Sequence, residues 1–174
     1  MDLQDQPLLI FDGACGSNLQ QRDLPASVWD RYEGCNEYLN LSAPEAIVSL
    51  HGSFLDAGAM VLETNTFGAS RIVLAEYGLE GRVAEINHAA VENARKACGS
   101  REAAWIAGSV GPTTKLPSLG HISPDELMAA LREQIRALVE AGVDALILET
   151  CQDLLQAKLA VIGAREVLEE LSRD

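Results

Sequence analysis

Four short apolar runs punctuate the chain, and each gives way to polar or glycine residues. They are Leu8-Leu9-Ile10-Phe11 before Asp12-Gly13, Met60-Val61-Leu62 before Glu63-Thr64-Asn65-Thr66, Trp105-Ile106-Ala107 before Gly108-Ser109-Val110-Gly111-Pro112, and Ala145-Leu146-Ile147-Leu148 before Glu149-Thr150-Cys151. Near-continuous hydrophobicity over about four residues is the pattern of a strand covered on both faces. Helical patterns fill the intervals. Ser42-Ala43-Pro44-Glu45 and Ser123-Pro124-Asp125-Glu126 fit the S-x-x-E capping box. Behind them run apolar stripes, Ile47, Leu50 and Phe54 in one case, Leu127, Leu131, Ile135 and Leu138 in the other. Val83, Ile86, Ala90 and Ala94 mark a third helix, to about Ala97. Leu155, Leu159 and Ile162 mark a fourth, from about Asp153 to Leu171. Gly58 and Gly142 stand just before strands, where a left-handed helix cap is expected.

The order is βα repeated four times, which predicts an α/β fold with a parallel sheet and helical crossovers. Two architectures fit: a small open doubly wound sheet, or part of a (β/α)₈ barrel, which needs about 250 residues when complete. The long irregular segments, Gly13 to Leu41 and Gly111 to Ile122, both follow strand C-terminal ends, where α/β folds carry function.

The 174 residues carry 13 basic and 26 acidic side chains, a net charge of −13. That balance argues against nucleic acid or an anionic membrane surface as partner. No apolar run approaches the roughly 18 residues a membrane span needs. Residues 1–7 are acidic and polar and are expected to be a flexible N-terminal segment, not a signal peptide. Cys15, Cys35, Cys98 and Cys151 show no C-x-x-C spacing, so a reducing cytoplasm is the default location.

In a parallel sheet the strand ends share one rim, so Asp12, Glu63 and Glu149 converge there with Thr64, Thr66, Ser109 and Thr150. Carboxylates so placed can hold an ammonium group, bind a metal, or act as acid and base. Other candidates are weaker. There is no P-loop and no G-x-G-x-x-G. His51, His88 and His121 are scattered and make no H-x-x-x-H pattern. Each cysteine is most simply structural, although Cys15 and Cys151 follow strands. Trp29, Tyr32 and Tyr38 either wall a pocket or pack the first loop down.

These strand ends resemble a known family. Phe11-Asp12-Gly13-Ala14-Cys15-Gly16-Ser17 is similar to the opening motif of the homocysteine S-methyltransferases, with Ser17 where the family often has Thr. Glu63-Thr64-Asn65-Thr66-Phe67 and Gly108-Ser109-Val110-Gly111-Pro112 match two further motifs in order. Leu148-Glu149-Thr150-Cys151-Gln152-Asp153, with Gln156 and Lys158, looks like the strand-four segment of the cobalamin-dependent methionine synthases in that family. The likeness runs from Leu8 to about Leu168.

The resemblance implies a (β/α)₈ TIM barrel, here about four βα units in one N-terminal piece of a homocysteine-binding domain spanning 1–174. It implies homocysteine as substrate, zinc to stabilise its thiolate, and methylcobalamin on another domain as methyl donor. Asp12 and Glu149 match the carboxylates that grip the substrate ammonium. Thr64, Asn65 and Thr66 would line the amino-acid pocket, with Gly13 and Ala14 in the glycine-rich turn and Ser109 completing the substrate-binding set. The family's zinc ligands are three cysteines in Asn-Cys and Gly-Gly-Cys-Cys motifs after strands six and eight. Neither motif occurs in this sequence, so no zinc ligand is assigned. The expectation is a half-barrel with little activity alone, completed by a partner half or self-associating through its open strand edges. The other possibility is a non-catalytic binding or assembly module.

Overall fold

In the computed structural model, which describes residues 3–101 and 104–173, three of the four apolar runs form one parallel sheet. In chain order the elements are α1 (Cys15–Gln20), α2 (Leu39–Ser42), α3 (Pro44–Asp56), β1 (Val61–Glu63), α4 (Arg71–Leu74), α5 (Val83–Cys98), β2 (Trp105–Val110), α6 (Pro124–Glu140), β3 (Ala145–Leu148) and α7 (Leu154–Glu170). The strand order is β1-β2-β3, with Val61 opposite Trp105 and Ala107 opposite Ala145.

The first apolar run departs from expectation. It is extended but makes only a single parallel bridge, Phe11 to Val61, with Asp12 N–H donating to Val61 O at 3.0 Å. It forms the sheet margin, and Leu8, Ile10 and Phe11 are 68%, 47% and 42% exposed. Of the expected flexible segment, residues 1 and 2 lie outside the described residues. Leu3–Asp5 forms a 3₁₀ turn, and Leu3 packs partly buried against the sheet.

The two faces of the sheet differ, and that difference builds the site. Leu62, Ile106, Leu146 and Leu148 point into the helical layer, against Leu55, Ala94, Cys98, Leu138 and Leu159. Alternate residues point the other way. There Val61, Trp105, Ala107, Ala145 and Ile147 form an apolar layer covered in part by Leu3 and Leu9. One step further along each strand, on that same face, come Glu63, Ser109 and Glu149. Covering on both faces, expected for every strand, holds for β2, which is buried throughout, but not for β3, which is half-buried along its length.

Helix starts follow local chemistry. Ser123 caps α6 in a complete capping box with Glu126. Asp153 caps α7, accepting from Leu155 and Gln156 N–H. The other expected box is absent: Ser42 ends α2, its hydroxyl donating to Tyr38 O at 3.3 Å, and α3 starts from Ala43 with Pro44 in its first turn. Gly58 and Gly142 both have positive φ, at 104° and 88°. The 13–41 segment, expected to be irregular, contains α1, α2 and two 3₁₀ turns. Its aromatics pack it down: Tyr32 is buried with Leu74, Leu79 and Ile86, the Tyr38 ring meets it at a tilt with centroids 4.6 Å apart, and Trp29 joins Leu19, Leu39 and Ile47. Among the described residues no helix is long and apolar enough to cross a membrane.

Candidate functional site

A cavity of about 410 Å³ opens at the C-terminal rim of the sheet. Its wall includes Asp12, Gly13, Ala14, Cys15, Gly16 and Ser17 from the first turn, Asn36 and Glu37 from the long loop, Glu63, Thr64, Asn65 and Phe67, and then Ser109 and Glu149. Seven of the eight residues assigned from sequence meet there. Thr66 does not reach the cavity; it is fully buried behind the wall.

Asp12 is held by the backbone of β1. Both carboxylate oxygens face Glu63 N–H at 3.2 Å, and its side chain is 2% exposed. Glu149 follows β3, where its N–H donates to Val110 O. Ser109 Oγ donates to Glu149 Oε1 at 2.5 Å. Thr150 next to it has φ of 54°, a left-handed conformation that costs a β-branched residue energy. Glu63 stands between these two carboxylates. Burial first, then the negative charges of Glu149 and Asp12 and a hydrogen bond with Glu149, push the Glu63 carboxyl up to about 7.

The threonines serve the wall itself. Ser109 N–H donates to Thr64 Oγ1 at 3.0 Å, the Thr64 and Thr66 hydroxyls lie 2.6 Å apart, and Thr66 Oγ1 donates to Ser109 O at 2.7 Å. Thr66 spends its proton on Ser109 O, so Thr64 must donate to Thr66, and the three hydrogen bonds close a ring through Ser109. Buried Gln134 of α6 donates to Thr66 O at 2.7 Å from behind. Asn65 is pinned likewise, donating to Asn36 O at 2.8 Å, while Asn40 donates to Asn65 O at 2.7 Å. The glycines of the first turn make room for neighbouring side chains. A Cβ on Gly16 would lie 2.9 Å from Asn36 Nδ2, and one on Gly13 would lie 3.2 Å from the Phe54 ring.

Sequence reasoning placed Glu63 on the rim but outside the substrate-binding set, and it left Glu37 and Phe67 out altogether. Glu37 accepts from Gly68 N–H at 2.7 Å, and burial raises its pKa. No periodicity marks it, since it lies in a 3₁₀ turn of the long loop. Glu63 was visible as a strand-end carboxylate. Phe67 stands at the mouth, 43% exposed, with its backbone oxygen receiving Gly111 N–H at 3.2 Å.

The donor set does not fit a zinc ion. Among the described residues no three His, Cys, Asp or Glu side chains are grouped to hold a metal. Burial, then the charge of Asp12, pushes the Cys15 thiol up to about 12. Burial and Glu149 raise Cys151 as well. Neither thiol favours the thiolate that ligation needs. The chemistry this wall can perform is capture of a cation: acceptors dominate it, and no Lys or Arg lines it among the described residues.

Comparison with known proteins gives a consistent picture. A family model described as homocysteine S-methyltransferase matches residues 9–172. A methionine synthase of Mycobacterium tuberculosis (strain ATCC 25618 / H37Rv) is 37% identical over 99% of this chain. A methionine synthase of Mycobacterium leprae (strain TN) is 35% identical over 97% of it. The chain spans only 15% and 14% of the length of those two relatives. Among solved structures, the metallated form of the homocysteine methyltransferase MmuM from Escherichia coli superposes with a TM-score of 0.76 at 27% identity. That match covers 98% of this chain and 62% of MmuM, and the oxidized form gives 0.72.

Proposed function

This chain belongs to the homocysteine S-methyltransferase family, and we propose that its rim cavity binds homocysteine through the α-amino group, for methylation of the thiol to methionine. The observation that carries this reading is the convergence of Asp12, Glu63 and Glu149 on one cavity without a basic residue in its wall. An ammonium group taken out of water needs anionic partners. Asp12 turns both oxygens toward the Glu63 N–H and Glu149 accepts from the Ser109 hydroxyl, so both carboxylates are held at the wall. Thr64, Asn65 and Ser109, with Thr66 behind them, shape the amino-acid end of the pocket. Backbone of Gly13 and Ala14 closes its open side.

Zinc, which stabilises a thiolate when bound, is not assigned to residues of this chain, and methylcobalamin is assigned to another domain of a longer enzyme. The chain is read as about four βα units of a TIM barrel acting in the cytoplasm. Its own contribution is to bind and orient, so the isolated chain should turn over homocysteine and methylcobalamin slowly or not at all. Robust steady-state methyl transfer by the isolated chain would contradict that.

Calorimetric titration tests the binding. Homocysteine is expected to bind, and 4-mercaptobutyrate, which lacks only the amino group, is not. Asp12→Asn should weaken homocysteine binding by about 2 kcal/mol, the range for a charge-assisted hydrogen bond. Equal binding of the two ligands would remove the ammonium from the reading.

A second reading is favoured by the sheet margins. Leu8, Ile10 and Phe11 are exposed on one side, and Leu154, Val161 and Ile162 on the other. A groove of about 580 Å³ runs along β3 and α7. These surfaces suit a non-catalytic module completed by a C-terminal half-barrel or by a second copy.

A further inference from the structure

The third turn of α3 holds a residue that the apolar stripe does not explain. Ile47, Leu50 and Leu55 are the buried aliphatic residues of this helix, and His51 sits among them with no exposed surface. Neither ring nitrogen has a hydrogen-bond partner. An imidazole so placed loses its water and gains nothing in return, a cost leucine would not incur. Such a group calls for a function. The ring's Nδ1 faces Asp12 Oδ2 at 3.8 Å, and the Asp12 side chain is nearly as buried as the imidazole.

That distance is too long for a hydrogen bond and short enough to become one by a small shift. Both Asp12 oxygens are already turned toward a single donor, the Glu63 N–H, at 3.2 Å each. A carboxylate sharing one donor between two oxygens has no fixed preference between them. The geometry points to His51 as the positioning residue of the pocket: its Nδ1–H fixes the Asp12 carboxylate from behind, so that the carboxylate's remaining lone pairs face an incoming ammonium group. The ring touches neither ligand nor reacting atoms and acts through Asp12 alone. The ligand side of this inference rests on the homocysteine reading; the His51–Asp12 pairing does not.

Two measurements separate these. Two-bond ¹H–¹⁵N correlation of the histidine rings in the ligand-free chain reports which His51 nitrogen carries a proton. A proton on Nδ1 is expected. A bare Nδ1 would overturn the inference whether or not homocysteine binds. The second is titration of His51→Leu and His51→Asn with homocysteine, alongside thermal unfolding. Leucine is expected to leave Tm unchanged or raised while weakening binding about tenfold, and asparagine, which keeps an N–H near the Nδ1 position, to stay within about threefold of the original. A purely structural histidine would give the opposite pattern, a lower Tm for His51→Leu with unchanged affinity. If the unaltered chain does not bind homocysteine while Nδ1 proves protonated, the homocysteine reading fails and the pairing stands.

Discussion

A carboxyl group that keeps its proton near neutrality makes the charge of the rim cavity depend on pH. Glu63 is raised to about 7 by burial and by Glu149 and Asp12, so ligand-free chain binds more protons than unfolded chain between about pH 4.5 and 7. Stability therefore falls as pH rises through that window, and affinity for a cation rises. Glu63→Gln should abolish both slopes. Above pH 7 the variant should be more stable by about 1 kcal/mol, screening at a half-exposed side chain having cut the full effect. Urea unfolding and calorimetry at pH 5 and 8 read the two effects. At this scale Asp12 and Glu149 were legible because strand ends advertise themselves, whereas the pull of their charges on Glu63 depends on distances no spacing rule supplies. Glu37 reaches the cavity from a loop without periodicity. His51 occupies a helix position that reads as core, and only its neighbour reveals it.

At the scale of elements, capping decides how firmly the loop between β2 and α6 is held. Asp153 does double duty: it caps α7 and also accepts Ser118 N–H at 2.9 Å and Ser118 Oγ–H at 2.8 Å. Burial opposes its ionisation, but these donors with the Leu155 and Gln156 N–H groups hold its carboxyl below the usual range. Asp153→Ala should lower Tm and open the 111–122 loop to limited proteolysis. Ser123→Ala, which removes only a cap, should cost about 1 kcal/mol in urea unfolding and leave that loop protected. The same chemistry explains what the sequence pattern reached. Val83, Ile86, Ala90 and Ala94 are all buried, as are Leu127, Leu131, Ile135 and Leu138. The Ser42 box failed because α2 ends one residue before α3, and Ser42 had already closed the earlier helix. Ile162 was expected inward and is 45% exposed. The first run looked like a covered strand because an apolar run specifies what a segment would bury, not whether a neighbour is present to bury it.

Across the whole molecule, a three-stranded parallel sheet leaves both of its margins open to other partners. Exposed Ile10 and Val161 lie on opposite margins. In sedimentation velocity the chain alone should self-associate with rising concentration, and Ile10→Lys combined with Val161→Lys should shift it toward monomer. A concentration-independent monomer before substitution would remove the self-association reading. The layering of the sheet face that carries Ser109 has a consequence for how the molecule tolerates change in length. Trp105 and Ala107 belong to its apolar floor and Ser109 to its polar upper tier, set apart only by the two-residue repeat of the strand. Inserting one residue in β2 ahead of Gly108 would drive the Ser109 hydroxyl among the helices and put Gly108, which has no side chain, in its place beside Glu149. In a library of single-residue insertions, therefore, β2 should be a silent stretch without survivors. Viable insertions should gather in the surface loops, where a register error moves nothing from one tier to the other.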